Sequence, residues 1–241
     1  MKKVLKVFKG HRHLVFLDFE ATQFSHEMIA YGAVLVTIDK NGYITKSKNP
    51  IKRFVIPKNA IGRYVENLTK ITNKEIQKFG VPFSVAMTDL KKYCGLYFKR
   101  CSFITFGNHD FRILNQSISY NLDSPKELCK VIKNNFVDFQ AIISEFIKDD
   151  KSNPMSLSHY LDVFKLDFEG QAHDPLYDAV NLSKLYDSFM KEKDIVYNQY
   201  MKNLNKMNFN PQPVNKVIKK LLNNESVSSE EFQEYIKEYI D

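Results

Sequence analysis

The sequence predicts an α/β protein in which a mixed β-sheet is covered by helices on both faces. Runs rich in valine and isoleucine come first in the chain, and helix and strand signals alternate after them. The chain has 241 residues, of which 44% are hydrophobic and 26% are charged. That composition is typical of a globular protein, and the length is sufficient for a continuous hydrophobic core.

The first predicted strands lie near the N-terminus. Residues 14–19 form a short apolar run bounded by charged residues, as expected of a buried strand, and residues 29–38 form a second strand. The pair Asn41-Gly42 lies between this second run and the alternating residues 51–56. An Asn-Gly pair between two such runs predicts a β-hairpin, here with a loop longer than two residues.

Helix signals begin in the next segment. Thr72 and Glu75 have the spacing of a capping box, and Gly80 ends the short helix that follows. A longer helix is predicted from Pro82 to Cys94.

Strands and helices alternate through the second half of the chain. Residues 102–106 form an apolar strand, and a helix begins soon after it, near Asp110. Another helix opens at Asp174-Pro175, because aspartate is a good N-cap and proline fits the first helical position. A further strand and a further helix are predicted at residues 136–139 and 156–164.

The chain changes character after residue 190, where asparagine and lysine become frequent and prolines interrupt the pattern. We therefore predict a main domain over residues 1–190 and a helical C-terminal extension over residues 191–241. The last helix has one apolar stripe at helical spacing, which we expect to be covered by the main domain, a protein partner or a second copy of the chain. The stripe consists of Phe232, Tyr235, Ile236, Tyr239 and Ile240.

The charge of the chain favours a polyanionic partner. Lysine and arginine number 35 against 28 acidic residues, a net charge of +7. Residues 191–241 contain eight basic and eight acidic residues, so the whole surplus lies in residues 1–190. A nucleic acid would therefore bind to the main domain.

Three scattered cysteines lack the paired spacing of a zinc site and indicate buried thiols in a reducing compartment. The sequence has neither an apolar N-terminal run typical of a signal peptide nor one long enough to span a membrane. We expect a cytoplasmic protein with no membrane partner.

Three groups of residues are candidates for catalysis, and the first is an acid pair. Asp18 and Glu20 are two residues apart on one predicted strand, so their side chains point to the same face, while Leu17 and Phe19 point to the other. Two carboxylates at the end of a buried strand repel each other unless a cation lies between them, and oxygen ligands select Mg²⁺ or Mn²⁺. The alternative is a strand that emerges into solvent with two acids at its rim.

The other two groups lie at helix starts. Asp110 follows a buried strand and a Gly-Asn-His turn, and its alternative role is to cap the helix. His173 precedes the helix that opens at Pro175, and Asp178 lies in the first turn of that helix. Both side chains can therefore face one site.

The order of these groups resembles the DEDDh 3′–5′ exonucleases of the ribonuclease-H-like superfamily, over residues 14–189. The run from Asp18 to Thr22, with His26 downstream, is similar to the first motif of the enhancer-of-RNA-interference and KapD-like subgroup. Residues 68–72 resemble a Leu-Thr-Gly-Ile-Thr segment, with lysine in place of glycine. The run into His173 is similar to the third motif. In two departures, this chain has alanine at position 30, where many relatives have an acid, and it has no tryptophan.

The resemblance implies a ribonuclease-H-like fold and hydrolysis of phosphodiester bonds at single-stranded RNA or DNA 3′ ends, with release of nucleoside monophosphates. Asp18, Glu20, Asp110 and Asp178 would hold two Mg²⁺ ions, for which Mn²⁺ would substitute. His173 would act as the general base.

The resemblance also points to substrate contacts. The backbone near Ala21 and Thr22 would meet the terminal nucleotide, and nearby aromatic and polar side chains could stack on or bond the last bases. The alternative for the phenylalanines is packing in the core. The side chains are those of Phe24, Phe106, Asn108 and His109.

Three other functions remain compatible with the sequence. The chain could be an inactive nucleic-acid-binding module of the same fold, although the intact acids and histidine argue against this. It could be a proofreading subunit that docks to a polymerase through residues 191–241. It could also be an interaction protein in which this extension makes the essential contacts.

Overall fold

The computed structural model describes residues 2–207 and 211–240. They divide into two compact units. The first consists of Met1–Ile143 and Ser156–Glu192, and the second of Ser144–Met155 and Lys193–Asp241. The second unit therefore includes a segment from the middle of the chain besides the C-terminal extension. The assignment of separate roles to residues 1–190 and 191–241 stays a prediction.

A mixed sheet organises the first unit. Its strands have the order β3-β2-β1-β5-β6, and β4 also pairs with β2. The β1–β2 pair is antiparallel, while β5 lies parallel to β1 on its other side and β6 lies parallel to β5. The strands are β1 (His13–Ala21), β2 (Met28–Ile38), β3 (Ile44–Ser47), β4 (Ile51–Phe54), β5 (Cys101–Thr105) and β6 (Phe136–Asp138).

The hairpin prediction was wrong in its second strand. The turn at Asn41-Gly42 joins β2 to β3, which begins at Ile44, and not to the run that starts at Ile51. That later run forms β4, which pairs with a more N-terminal stretch of β2. The long β2 thus holds two short strands, one after the other, along a single edge.

Helices flank the sheet, as the sequence predicts. Those of the first unit are α1 (Lys2–Val7), α2 (Arg63–Thr69), α3 (Asn73–Phe79), α4 (Phe83–Cys94), α5 (His109–Tyr120), α6 (Lys126–Asn134), α7 (Phe139–Ser144), α8 (Leu157–Val163) and α9 (Pro175–Lys191). Those of the second unit are α10 (Lys193–Lys206), α11 (Gln212–Leu222) and α12 (Ser229–Ile240). Among the described residues, no helix is long and apolar enough to cross a membrane.

The helix starts follow their sequence signals. The side chain of Thr72 accepts a hydrogen bond from the backbone of Glu75 in the capping box of α3. Asp174 caps α9 by accepting from the backbone of Leu176, with proline in the first turn. These caps are local, and for that reason they are visible in the sequence. Helix α2 begins after Gly62 without a side-chain cap, and it was not predicted.

Alternate residues of β1 face different helices. Val15, Leu17 and Phe19 are buried in one core cluster with residues of α4, α5 and α6. On the other face, the ring of Phe16 lies 5.4 Å from that of Tyr186 in α9. The even-numbered residues of β1 therefore point toward α9.

Gly32 allows the start of α9 to lie directly on the sheet. It is the β2 partner of Asp18 across the antiparallel pair. A Cβ atom at this glycine would lie 1.8 Å from the carbonyl oxygen of Pro175, the first residue of α9. Any larger residue would push the helix start away from β1, because the obstructing atom belongs to the backbone.

The second unit ends in a pair of helices. Lys216 and Lys220 of α11 form ion pairs with Glu238 and Glu231 of α12. The last helix has no buried residue, and Ile240 of its apolar stripe is 75% exposed. The expectation that the main domain, a partner or a second copy covers this stripe stays a prediction.

Replacing Gly32 with alanine should displace the start of α9. We expect the free energy of unfolding in urea to fall by about 1–3 kcal/mol, the usual effect of adding a group to a filled space. Hydrogen–deuterium exchange at the amides of residues 174–179 should also become faster. Gly10→Ala is the control, because no atom lies within 4 Å of its added Cβ, and it alters only a position of positive φ. Unchanged exchange at the start of α9 in Gly32→Ala would contradict this role.

Candidate active site

The acid pair of β1 lies against the start of α9. Asp18 and Glu20 are half-buried and project from the face of β1 that packs on this helix. The pairing register with β2 shifts immediately afterwards, between Glu20 and Ala21, where Ile29 of β2 has no partner on β1. Such a shift bends the paired strands and changes the direction of their side chains, and β1 ends at Ala21, just after the acids. The pair does not lie at a solvent rim.

Asp110 reaches the same region from α5. The parallel pairing of β1 with β5 ends at Phe16, which leaves later N–H groups of β1 without a strand partner on that side. The buried carboxylate of Asp110 accepts the hydrogen bond of one of them, the N–H of Phe19, at 2.8 Å. A buried N–H needs such a partner. The acid therefore binds β1 and does not act as the N-cap of α5, a position held by Asn108.

His173 and Asp178 are joined by a hydrogen bond at the start of α9. The backbone N–H of His173 donates to the carboxylate of Asp178 at 2.9 Å. His173 has a φ of 64°, in the left-handed region that residues other than glycine rarely adopt. This conformation places the exposed histidine beside the acid that its own backbone holds.

The described residues contain one group that could hold a metal ion. Oxygen or nitrogen atoms of Glu20, His173 and Asp178 all lie within 4.8 Å of one another. Asp18 and Asp110 lie near this group, since the charge of Asp110 raises the pKa of Glu20, and the charges of Asp110, Glu20 and Asp178 raise that of Asp18. The cluster is rich in carboxylate oxygens, which are the ligands that Mg²⁺ and Mn²⁺ prefer, and so its chemistry fits a hard divalent cation.

Burial and the charges of neighbouring acids raise the pKa values in this cluster. Burial, followed by repulsion from Asp178, Asp110 and Asp174, raises the pKa of Glu20 to about 8. Burial and then the charge of Asp110 also hold the pKa of Asp18 well above its usual range. The negative charges are therefore held together at a cost, which a bound cation would relieve.

Two hydrogen bonds partly offset this repulsion. Burial raises the pKa of Asp110 to about 7, although the hydrogen bond from Phe19 lowers it. Burial likewise raises the pKa of Asp178 to about 6, against the opposite effect of the hydrogen bond from His173. Each acid is thus fixed by a backbone donor, which orients the carboxylate.

Lys52 supplies a positive charge beside the cluster. It pairs with Asp174 at 2.7 Å, and its charge lowers the pKa of Glu20. Lys52 lies opposite Gly32 in the β2–β4 pair, in line with Asp18 across the sheet. Sequence reasoning missed this lysine, because nothing near it in the chain marks a site.

A cleft of about 390 Å³ opens beside the cluster. Of the predicted substrate-binding residues, Ala21, Thr22 and His109 line it, together with the acid Glu20 and with His173. The remaining lining residues are Phe19, Gln23, His26, Tyr64, Val65, Leu68 and Thr69.

The other predicted substrate contacts lie outside this lining. Phe24 is 82% exposed, so it is not a core residue. Phe106 is half-buried and makes an edge contact with Tyr160 of α8, with ring centroids 5.9 Å apart, which agrees with the packing alternative. Asn108 is exposed at the start of α5.

Thr22 has little hydrogen-bonding capacity left for a substrate. Its N–H donates to the carbonyl of Glu27, and its hydroxyl accepts from the N–H of Glu27 and pairs with Ser25. The carboxylate of Glu27 in turn accepts from the backbone of Lys58 and Asn59. These bonds close the loop after β1, so Thr22 shapes the cleft wall through the loop.

Sequence reasoning missed much of the far wall of the cleft. Tyr64, Val65 and Leu68 come from α2, which was not predicted. A signal was available, since these residues share one face of a helix at spacings of three and four. His26 was noticed only as part of a motif, yet its ring packs edge-on against His109, with centroids 5.4 Å apart.

The sequence model of the exonuclease family matches residues 15–186. This chain is a member of the exonuclease family. The matched region includes every predicted acid and the histidine. No sequence among curated proteins matches this exonuclease.

Solved structures share the fold of this exonuclease. Each of three alignments covers 76% of its chain. A full-length 3′-exonuclease aligns with a TM-score of 0.58 and 19% identity over 83% of its own chain. A 3′-exonuclease studied for recognition of the histone mRNA stem-loop gives 0.62 and 20% over 83%. The nuclease domain of 3′hExo, a DEDDh family member bound to rAMP, gives 0.60 and 18% over 94%.

These comparisons confirm the predicted ribonuclease-H-like fold and the resemblance to DEDDh 3′–5′ exonucleases. The closer kinship with the enhancer-of-RNA-interference and KapD-like subgroup stays a prediction.

The raised pKa values predict how the metal-free exonuclease responds to pH. An acid whose pKa is higher in the folded state binds more protons there than in the unfolded chain. Its stabilising effect is therefore lost as the pH rises from about 4 toward the raised value. With chelator present, the midpoint temperature of thermal unfolding should therefore decrease as the pH is raised from about 4 to about 8, the pKa of Glu20.

The variant Asp18→Asn isolates the contribution of the cluster from other titrating groups. It removes one of the repelling charges, so its midpoint in chelator should exceed that of the wild type, by more at pH 8 than at pH 5. Differential scanning fluorimetry across this range measures the difference. A difference that does not grow with pH would show that repulsion among the acids is unimportant.

Proposed function

We propose that this exonuclease removes nucleotides from the 3′ end of single-stranded RNA or DNA by metal-dependent hydrolysis, releasing nucleoside monophosphates. One observation carries the proposal. Asp18, Glu20, Asp110 and Asp178 come from three separate elements and meet beside His173 at the edge of a cleft. A fold without a catalytic requirement would have little reason to keep so many repelling acids together.

The four acids are the proposed ligands of two divalent ions, with Mg²⁺ as the natural metal and Mn²⁺ as a substitute. When bound, such ions lower the pKa of a water molecule and stabilise the charge on a departing 3′ oxygen. The protein contributes the orientation of its ligands. Backbone donors fix Asp110 and Asp178, and the close approach at Gly32 holds Asp178 near β1.

His173 is the proposed general base. Its imidazole is exposed, so a ring nitrogen can meet a water molecule beside the acids and accept a proton from it. Its backbone bond to Asp178 ties the position of the ring to that of a metal ligand. A ring nitrogen also lies within 4.8 Å of ligand atoms of Glu20 and Asp178. Coordination of a metal by His173 is therefore the alternative role to be tested.

Aromatic side chains at the cleft are consistent with the proposed single-stranded substrate. Its mouth holds Tyr64, and the exposed Phe24 lies on the adjacent loop, so aromatic faces are available for unpaired bases. One structural neighbour is described for recognition of an RNA 3′ end and another was bound to rAMP. These descriptions support a 3′ nucleotide as the group that enters the cleft. Phe24, Phe106, Asn108 and His109 stay candidates for contacts with the last bases.

Removing a proposed metal ligand should abolish cleavage without unfolding the protein. We expect Asp18→Asn and Asp178→Asn each to reduce the shortening of a 5′-labelled oligonucleotide in Mg²⁺ to background. Circular dichroism in chelator should show a folded protein. Asp167→Asn is the control, because Asp167 is an exposed acid outside the cluster. Substantial activity in either ligand variant would contradict the two-metal assignment.

Removing the proposed base should lower turnover and leave metal binding intact. We expect His173→Ala to reduce the rate by about 10²–10⁴-fold, the range typical of a general base. Mn²⁺ affinity, measured by calorimetry, should remain close to that of the wild type. His159→Ala, which alters an exposed histidine of α8, is the control. A large loss of Mn²⁺ affinity in His173→Ala would instead identify this histidine as a ligand.

A further inference from the structure

The positive charge of the chain is concentrated in three short segments. Residues 9–13, 91–100 and 126–134 together contain nine basic residues and one acid, a net charge of +8. The whole chain has a net charge of +7, so the remainder is slightly acidic. The basic residues are Lys9, Arg12, Lys91, Lys92, Lys99, Arg100, Lys126, Lys130 and Lys133.

These segments meet at a groove of about 720 Å³ in the first unit, which we term the basic groove. It lies between the end of α4, the turn Gly95–Arg100 and α6. The first segment joins it through two contacts. Lys9 donates to the carbonyl of Asn134 at 2.7 Å, and His13 stacks on Tyr97 with ring centroids 3.8 Å apart. The groove is lined by Lys91, Leu96, Phe98, Lys99, Lys130 and Asn134, among others.

The lysines of the basic groove are available to a ligand. In the part of the chain that the structure describes, Lys91, Lys99 and Lys130 are exposed and form no ion pair. Like charges that line one groove repel one another, so a polyanion would relieve the repulsion. The single acid of the three segments, Glu127, lines the same groove and cannot neutralise them.

Apolar and amide groups alternate with these cations. Leu96 is 99% exposed, and Asn134 offers a side-chain amide at the groove. Tyr97, next to Leu96 in the chain, is 50% exposed, with one face of its ring stacked on His13. Cations beside exposed apolar and aromatic faces are typical of surfaces that bind single strands, where phosphates meet the charges and bases meet the flat faces. An acidic protein would need the charges, but it would make no particular use of the aromatic face.

The basic groove lies far from the proposed catalytic cluster. His13 and Cys101 pair at the start of the parallel strands, whereas Asp18 lies five residues further along β1. Five residues of strand span about 17 Å. A nucleotide in the cleft therefore cannot contact the basic groove, but a strand that extends several nucleotides from it can.

We propose that the basic groove binds the backbone of a single-stranded nucleic acid upstream of the 3′ end that enters the cleft. The identification of that strand as the substrate rests on the proposed function. Binding at the groove would increase the affinity for long strands and leave very short ones unaffected, because only a long strand reaches both places.

The double variant Lys99→Gln/Lys130→Gln tests this proposal. Fluorescence anisotropy in chelator, with 20-nucleotide and 4-nucleotide labelled strands, measures binding without hydrolysis. The variant should bind the long strand about tenfold more weakly, and the slope of log K against log salt should shrink by about 1.4, the effect expected for two lost phosphate contacts. Binding of the short strand should not change. The control Lys202→Gln/Lys219→Gln removes two exposed lysines of the second unit and should match the wild type.

Several outcomes would overturn the proposal. Long-strand affinity equal to that of the control would exclude the groove as a nucleic-acid site. An equal loss on the short strand would place both lysines at the cleft. Binding of an acidic helical peptide that the variant loses, with strand binding intact, would make the groove a protein site. If the wild type hydrolyses no strand in Mg²⁺ or Mn²⁺, the proposed function fails, yet the measurement in chelator still decides whether the groove binds nucleic acid.

Discussion

Repulsion among partly buried acids is the constraint on which this structure depends. Asp18 and Glu20 of β1 have raised pKa values, first because they are buried and then because Asp110 of α5 and Asp178 of α9 add their negative charges. Such groups separate unless the fold holds them. Three devices do so here. The carboxylate of Asp110 accepts a hydrogen bond from an N–H of β1, and the carboxylate of Asp178 accepts one from the backbone of His173. Gly32 lets the start of α9 approach the sheet. The stability of the surrounding core is what maintains this unfavourable arrangement.

The same constraint explains the asymmetry of the sheet. On one face, β1 contributes large apolar side chains to a core with α4, α5 and α6. On the other, it passes from Phe16, packed on Tyr186, to Asp18 and Glu20 within a few residues. The change occurs where the parallel pairing with β5 has ended and just before the register with β2 shifts. A strand that is core at one end and polar at the other thus needs a change in pairing between them.

Local signals in the sequence predicted most of the fold and the candidate acids. They could not predict contacts between residues that are distant in the chain. The capping box at Thr72 depends on four adjacent residues and is legible without a structure. By contrast, Gly32 matters because of Pro175, and Lys52 because of Asp174, each more than a hundred positions away. The hairpin was misassigned for a related reason, since β3 and β4 share one edge of β2 and no local pattern shows which run pairs where.

The distribution of charge along β1 gives the first unit an electric polarity. Acids gather near Asp18 at one end of the strand, and cations gather beyond His13 at the other. This field would orient an approaching polyanion before any contact forms and would attract most of its length to the positive end. Such guidance weakens as ions screen it over about 10 Å at 0.1 M salt. The charges at the two ends of β1 would then affect the rate of association with a polyanion more than the affinity of the final complex.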